Sequence, residues 1–229
     1  MHPVITIDGP SGAGKGTIAR LVAERTGFHI LDSGSLYRLT GLAALGAGVD
    51  LGNEVEVAVI AANLDVEFII QQQELVILLG GEDVTQAIRQ ERIGMAASKV
   101  AAHNSVRDAL LERQRAFAMA QGLVADGRDM GTVVFPNAQV KVFLTATAAE
   151  RAKRRVLQLE ESGAKDVDYK KILSDIEQRD YQDANRAVAP LKPAVDAVTI
   201  DSTELSIEQV CQQIMALANR AFDSSSVRG

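Results

Sequence analysis

Residues 9–17 read GPSGAGKGT and directly follow the apolar run Val4-Ile5-Thr6-Ile7-Asp8. Gly9, Gly14 and Lys15 have G-x-x-x-x-G-K spacing, and the stretch TIARLVAERTG behind them has helical periodicity, so the motif joins a strand to an amphipathic helix. Glycines at 9, 12, 14 and 16 let the backbone curl with its N–H groups inward, while the helix turns its positive end on the same point. Such a cradle holds phosphate oxygens, and Lys15 adds a point charge for the β and γ oxygens of a nucleoside triphosphate. A purely structural glycine turn would give a lysine nothing to bind.

The residue after Lys15 is Gly16, where many such loops place the Ser or Thr that holds Mg²⁺, and the hydroxyl moves to Thr17. Mg²⁺ is therefore expected on the triphosphate, on waters, and on Thr17 or a carboxylate such as Asp126 at the end of the run LVAD.

Apolar runs alternate with helical patterns: VITID, TIARLVAERTG, HILD, then SLYRLTGLAALGAG. This order predicts an α/β fold with a parallel sheet and helices on both faces. The pattern changes at Leu64, where LDVEFII, the polar QQQ and ELVILLGGEDV predict two strands of an antiparallel hairpin. Helical TQAIRQERIGMAASKVAA and SVRDALLERQRAFAMA follow, and the parallel pattern resumes with LVADG, VKVFLTA and AVTIDS. Five core strands are predicted at about 4–8, 28–31, 123–126, 140–146 and 197–201. Between the last two lie charged helical stretches ERAKRRVLQLE and YKKILSDIEQRDYQDANR, joined by ESGAKDVD, which reads as a mobile flap. The tail DSSSVRG has no periodicity and is expected to fray.

A net charge of −6 argues against broad binding to nucleic acid or anionic membrane, so phosphate chemistry belongs in a pocket. The one cysteine, Cys211, sits on the apolar face of a helical pattern and reads as a buried structural thiol; no disulfide is possible within the chain. His2, His29 and His103 are scattered, which disfavours metal ligation by histidine. No uncharged apolar run reaches the roughly 18 residues of a membrane helix, and the expected location is cytoplasmic.

The pattern GxSGxGKGT resembles the loop of the P-loop nucleoside monophosphate kinases, in which Gly-Thr follows the lysine. The chain has neither an N/T-K-x-D nor a D-x-x-G motif, and no strand ends in an Asp-Glu pair, so GTPases and motor ATPases fit poorly. LDSGSLYR (31–38), DGRDMGTVVFP (126–136) and RDYQDANRAVAPL (179–191), with the hairpin at 64–84, resemble the signature segments of bacterial-type cytidylate kinases. The resemblance covers about residues 3–222. It implies that the whole loop, Gly9, Pro10, Ser11, Gly12, Ala13, Gly14, Lys15, Gly16 and Thr17, binds ATP, and that the acceptor is CMP or dCMP.

Cytosine presents an exocyclic amine where uracil has a carbonyl, so a carboxylate discriminates between them, and Asp129 is the candidate. A pocket whose polar groups go unpaired with the wrong base can discriminate by about 10⁴. The resemblance assigns Arg107 and Ser98 to the remaining base edge, and Tyr37 and Arg38 to the acceptor monophosphate. Ser33 is expected to cap a helix and to meet that phosphate at the helix N-terminus. Arg128 and Asp129 follow a strand expected near the sheet centre, at the carboxyl edge where open α/β sheets bind ligands. Arg179, Asp183 and Arg186 share one helical face; the resemblance implies that Asp183 binds the acceptor ribose and that the two arginines hold phosphate oxygens. Arg151, Arg154 and Arg155 form either a solvated basic face or a set of ATP contacts, Arg154 first.

The expected protein is therefore a P-loop nucleotide kinase with a five-stranded parallel core (about 1–32, 108–150 and 187–222). An acceptor-binding insert with a small antiparallel sheet spans about 33–107, a lid about 151–186, and a frayed tail 223–229. Its expected partners are MgATP and CMP or dCMP, with Lys15, Arg128, Arg179 and Arg186 catalytic, no nucleic acid or membrane partner, and a monomeric state. The rival readings are a kinase for UMP, AMP or a small metabolite, and a nucleotide-sensing module without turnover.

Overall fold

The computed structural model describes residues 2–119, 121–161, 163–186 and 189–226. In chain order its strands are β1 (Val4–Asp8), β2 (His29–Asp32), β3 (Val66–Gln71), β4 (Glu74–Leu79), β5 (Glu82–Asp83), β6 (Leu123–Gly127), β7 (Val140–Thr145) and β8 (Val198–Asp201). Its helices are α1 (Lys15–Thr26), α2 (Ser33–Gly46), α3 (Glu54–Ala62), α4 (Glu91–Val100), α5 (Asn104–Arg115), α6 (Ala148–Glu161), α7 (Tyr169–Ala184) and α8 (Ile207–Ser226). A five-stranded sheet runs β2-β6-β1-β7-β8, and β3-β4-β5 form a separate antiparallel sheet. The five predicted core strands are all present, each within a residue or two of its expected bounds. The chain divides into two compact units, one of residues 1–3 and 23–126 and one of 4–22 and 127–229.

In the first unit β2 and β6 pair in parallel from His29↔Leu123 to Asp32↔Asp126. The buried residues of α2, among them Leu36 and Leu39, face the unit's core, and Gly41 lets α4 approach, since a Cβ there would lie 2.9 Å from that of Ala96. β3 alternates buried and exposed side chains, as a half-buried strand must, and Phe68 packs on Phe117 at 5.6 Å between centroids.

Three expectations for this unit need correction. The hairpin has a third strand: Gln72 and Gln73 both take positive φ in the first two-residue turn, and Gly80 and Gly81 do so again in a second. That is the backbone such tight hairpin turns require, so the Gly-Gly pair inside the predicted second strand reverses the chain into β5. The continuous helix over 85–102 is broken at Gln90, whose extended backbone (φ −61°, ψ 143°) separates a 3₁₀ turn at Ala87–Arg89 from α4. Finally, the N-cap of α2 is Asp32, which accepts from the Ser35 amide at 3.0 Å and its hydroxyl at 2.6 Å, while Ser33 is the first helical residue. The structure also holds α3, which sequence periodicity did not isolate.

In the second unit β1 lies parallel to β7 (Ile5↔Val140 to Asp8↔Phe143), and β7 to β8 (Val142↔Val198 to Thr145↔Asp201). Every residue of β1 is buried, as in a strand covered on both faces, and Thr6 and Asp8 are its two polar members. Val210, Cys211, Ile214 and Ala218 form the buried stripe of α8, with the thiol fully enclosed as expected. The tail expected to fray from 223 continues α8 to Ser226, and residues 227–229 lie outside the described residues. Of the segment expected to be a flap, Ser162 likewise lies outside them, and Gly163 and Asp166 take positive φ.

Candidate active site

The phosphate loop leaves β1 at Gly9, whose φ is +154° and where a Cβ would lie 2.0 Å from the Leu144 carbonyl oxygen, a contact only glycine avoids. Gly12 and Gly14 are also at positive φ, and Lys15 opens α1, so the loop meets the positive end of a helix as its spacing predicts. The Lys15 ammonium donates to the Pro10 carbonyl at 3.0 Å, folding back over the loop. Thr17 lies in the first turn of α1 and is exposed.

At the end of β1, one residue before the phosphate-loop motif, stands Asp8. Asp8 is 4% exposed, and its oxygens accept one backbone amide each, from Met130 at 2.8 Å and Gly131 at 2.7 Å. Those amides begin a π-helical turn, Met130–Val134, directly after Arg128 and Asp129. Burial pushes the Asp8 carboxyl up to about 6, the two amides and Lys15 oppose that rise, and nearby Asp129 adds to it. A carboxylate closing an otherwise apolar strand was the available signal.

Arg128, Asp183 and Arg186 form a second cluster. Asp183 is 1% exposed and shares its carboxylate between Arg128 Nε, at 2.6 Å, and Arg186 Nη2. Arg186 lies two residues beyond the last residue of α7 rather than on the helix, yet reaches back to Asp183. Arg179, on α7, is exposed. The three residues predicted to share a face thus include one acidic centre that binds two cations within the protein itself.

The basic stretch of α6 splits by environment. Arg151 is 3% exposed and engaged at all three nitrogens: Nε donates to the Ala146 carbonyl at 2.9 Å, Nη1 to the Ser11 carbonyl of the phosphate loop at 3.0 Å, and both terminal nitrogens to Asp180. It braces the loop against α7. Arg154 donates to Glu150 and, at 2.6 Å, to the Ser202 carbonyl after β8; Arg155 meets Gln158 at the surface. Arg151 and Asp180 were missed as supports of the loop because 140 residues separate Arg151 from Ser11.

The first unit carries Ser33, buried at the start of α2, and Tyr37 and Arg38 one turn on. Arg38 donates to the Ile88 carbonyl at 2.8 Å and so ties α2 to the 3₁₀ turn. Ser98 is exposed on α4 and bonds the Gly94 carbonyl at 3.1 Å, and Arg107 is half-buried on α5. Asp126 is half-buried at the end of β6. Among the described residues no three His, Cys, Asp or Glu side chains gather to hold a metal ion, and no helix is long and apolar enough to cross a membrane. Thr17 and Asp126 each offer a hard oxygen donor of the kind Mg²⁺ takes.

A phosphate loop beside an Arg-Asp turn defines a class of kinase without defining its acceptor, and comparison with known proteins narrows it. The family model described as cytidylate kinase matches residues 5–220. The cytidylate kinase of Saccharophagus degradans is 63% identical over 95% of this chain and 97% of its own. That of Aeromonas hydrophila is 56% identical over 99% and 98%, and that of Pseudomonas aeruginosa 58% over 95% and 96%. With a match that spans the loop, the Arg128–Asp129 turn and the Asp183 cluster alike, the chain belongs to the cytidylate kinase family.

Proposed function

We propose that the chain transfers the γ-phosphoryl group of ATP to CMP or dCMP, giving ADP and CDP or dCDP. An oxygen of the acceptor phosphate attacks γ-phosphorus in line as the bond to the β–γ bridging oxygen breaks, and ADP leaves with that oxygen's electrons. The observation that carries the reading is that Lys15 and the Arg128–Asp129 turn flank one buried carboxylate, Asp8, in a chain matched by the family model over nearly its full length.

In this reading the loop residues 9–17 cradle ATP, with Arg154 adding a contact, and Lys15 neutralises β and γ oxygens. Arg128, Arg179 and Arg186 stabilise charge on the equatorial oxygens of the transferring group, so positioning and electrostatics dominate and no obligatory general base is needed. Ser33, Tyr37 and Arg38 hold the acceptor phosphate, Asp129, Arg107 and Ser98 read the cytosine edge, and Asp183 meets the ribose. Thr17 and Asp126 are the residues that would hold Mg²⁺ brought in with ATP, in part through water, and the ion would supply charge neutralisation there. Residues 33–107 act as the acceptor-binding insert and 151–186 as a lid that excludes water on closing. The enzyme works as a cytoplasmic monomer, without nucleic acid or membrane partners.

The test is a coupled ADP-release assay with CMP, dCMP, UMP, AMP and shikimate. Cytidine nucleotides are expected to be preferred, and Lys15→Ala to abolish turnover. Asp129→Ala is expected to raise KM for CMP by about 10- to 100-fold, the worth of a good base contact, with KM for ATP nearly unchanged. No preference for cytidine nucleotides refutes the reading, and loss of ATP affinity with unchanged CMP use refutes the assignment of Asp129.

A further inference from the structure

Asp8 connects two parts of the site that no local sequence feature connects. It ends β1 and directly precedes Gly9, so its backbone starts the phosphate loop. Its side chain reaches across 122 and 123 positions of sequence to Met130 and Gly131, with one oxygen for each amide. The approach is close on both sides: a Cβ on Gly131 would lie 3.0 Å from Thr6 Oγ1 and 3.3 Å from Asp8 Oδ2. Lys141, behind Gly131, has its ammonium engaged by the Pro136 carbonyl and Asp196. Nothing in the transfer chemistry uses Asp8 directly, yet a buried carboxylate held by two amides carries a large desolvation cost that an apolar residue would avoid.

We infer that Asp8 is a positioning residue: its carboxylate holds the Arg128–Asp129 turn in register with the phosphate loop, and so sets the placement of the carboxylate that tells cytosine from uracil. This rests on the proposed function. Two amides on one carboxylate fix both the height and the rotation of the turn, and the two residues before Met130 inherit that placement through a rigid backbone. Protonation of Asp8 replaces one acceptor lone pair with an O–H that confronts an N–H, so the turn is held by one amide instead of two. The charged groups that bear on Asp8 are Asp129 and Lys15, with Lys141 on the neighbouring strand neutralised by Asp196.

The measurement is the ratio of kcat/KM for CMP to that for UMP, across pH, in the wild type and in Asp8→Asn. The ratio cancels the fraction of enzyme that is folded and the titration of the acceptor phosphate, so a merely structural role would not move it. Asn keeps one acceptor and turns an amide donor toward the other N–H, so at about pH 8 the preference for CMP is expected to narrow at least about tenfold, the worth of one hydrogen bond. The wild-type ratio is expected to fall toward the variant's as pH drops through about 6, where Asp8 takes up its proton, and the variant's ratio to stay flat. Gly131→Ala, which pushes the turn off Asp8 from the other side, is expected to narrow the ratio likewise and serves if Asp8→Asn does not fold; the wild-type pH profile needs no variant. A wild type without CMP preference overturns the functional reading. A wild type with that preference, unchanged in both variants or level from pH 5 to 8, overturns the role of Asp8 alone.

Discussion

Replacing Asp183 with alanine removes a carboxylate that is 1% exposed and that pairs with Arg128 and Arg186 at once. Breaking a buried charge pair from one side costs about 3–5 kcal/mol, because the orphaned cation stays desolvated. Here the arginines are less buried than their partner: the Arg128 side chain keeps 19% of its exposure and Arg186 38%. Arg186 can turn to water, which reduces its share to below about 1 kcal/mol. Arg128 dominates the loss, which comes to about 2–4 kcal/mol, or a fall in Tm of about 5–15 °C for a chain of this size. The chain has no tryptophan, so unfolding is followed by far-ultraviolet circular dichroism without ligand, which separates the arginine pairing from any contact of Asp183 with ribose. Asp183→Asn keeps the volume and one acceptor, and about half the loss is expected. With the arginines no longer held, kcat is expected to fall by about 10²-fold in Asp183→Ala, as for misplaced positioning groups. A variant that unfolds within about 2 °C of wild type and keeps its kcat refutes the view that Asp183 organises the arginines.

Two further outcomes follow from the geometry. Gly9→Ala sets a Cβ 2.0 Å from the Leu144 carbonyl, backbone against backbone across β1 and β7, whereas at Gly14 a Cβ meets nothing within 4 Å. Gly9→Ala is therefore expected to lose at least about 3 kcal/mol in urea unfolding and Gly14→Ala about 1–2 kcal/mol from its positive φ alone; equal losses would contradict this. Asp8 titrates near 6 when folded against 3.8 in the unfolded chain, so between these values the folded state binds the extra proton. Its contribution to stability thus falls as pH rises through that window and is level above it, by about 3 kcal/mol in all. Wild type measured against Asp8→Asn should gain stability from about pH 7 to about pH 4.5, and a difference independent of pH refutes the buried ionisation.

The strands and the loop were legible because their signals are local. A short, mainly apolar strand followed by a glycine-lysine pattern permits few backbone paths, and the five core strands lie where the alternation of strands and helices puts them. α3 escaped because EVEVAVIAA offers no clear polar face: only Val57 and Ala61 are buried, while Val55 and Val59 stay exposed. The second hairpin turn was also written in sequence, as Gly80-Gly81, but the apolar run before it masked the reversal. Asp32 took the cap expected of Ser33 because its carboxylate, one residue earlier, reaches both the amide and the hydroxyl of Ser35.

By itself the sequence determined the phosphate cradle, the parallel core and the family, since each depends on neighbouring residues or on segments that can be matched one by one. Only the tertiary structure decided what each charge is for. In the sequence Arg151 stands beside Arg154 and Arg155 on a basic stretch of α6 with nothing to single it out, yet it is sealed against Ser11 and Asp180, while Arg155 stays at the surface. Asp183 is bound to two arginines, and Asp8 to two amides more than a hundred residues away. A charge becomes structural or available according to its burial and its partners, and both are set by contacts between segments that are distant along the chain.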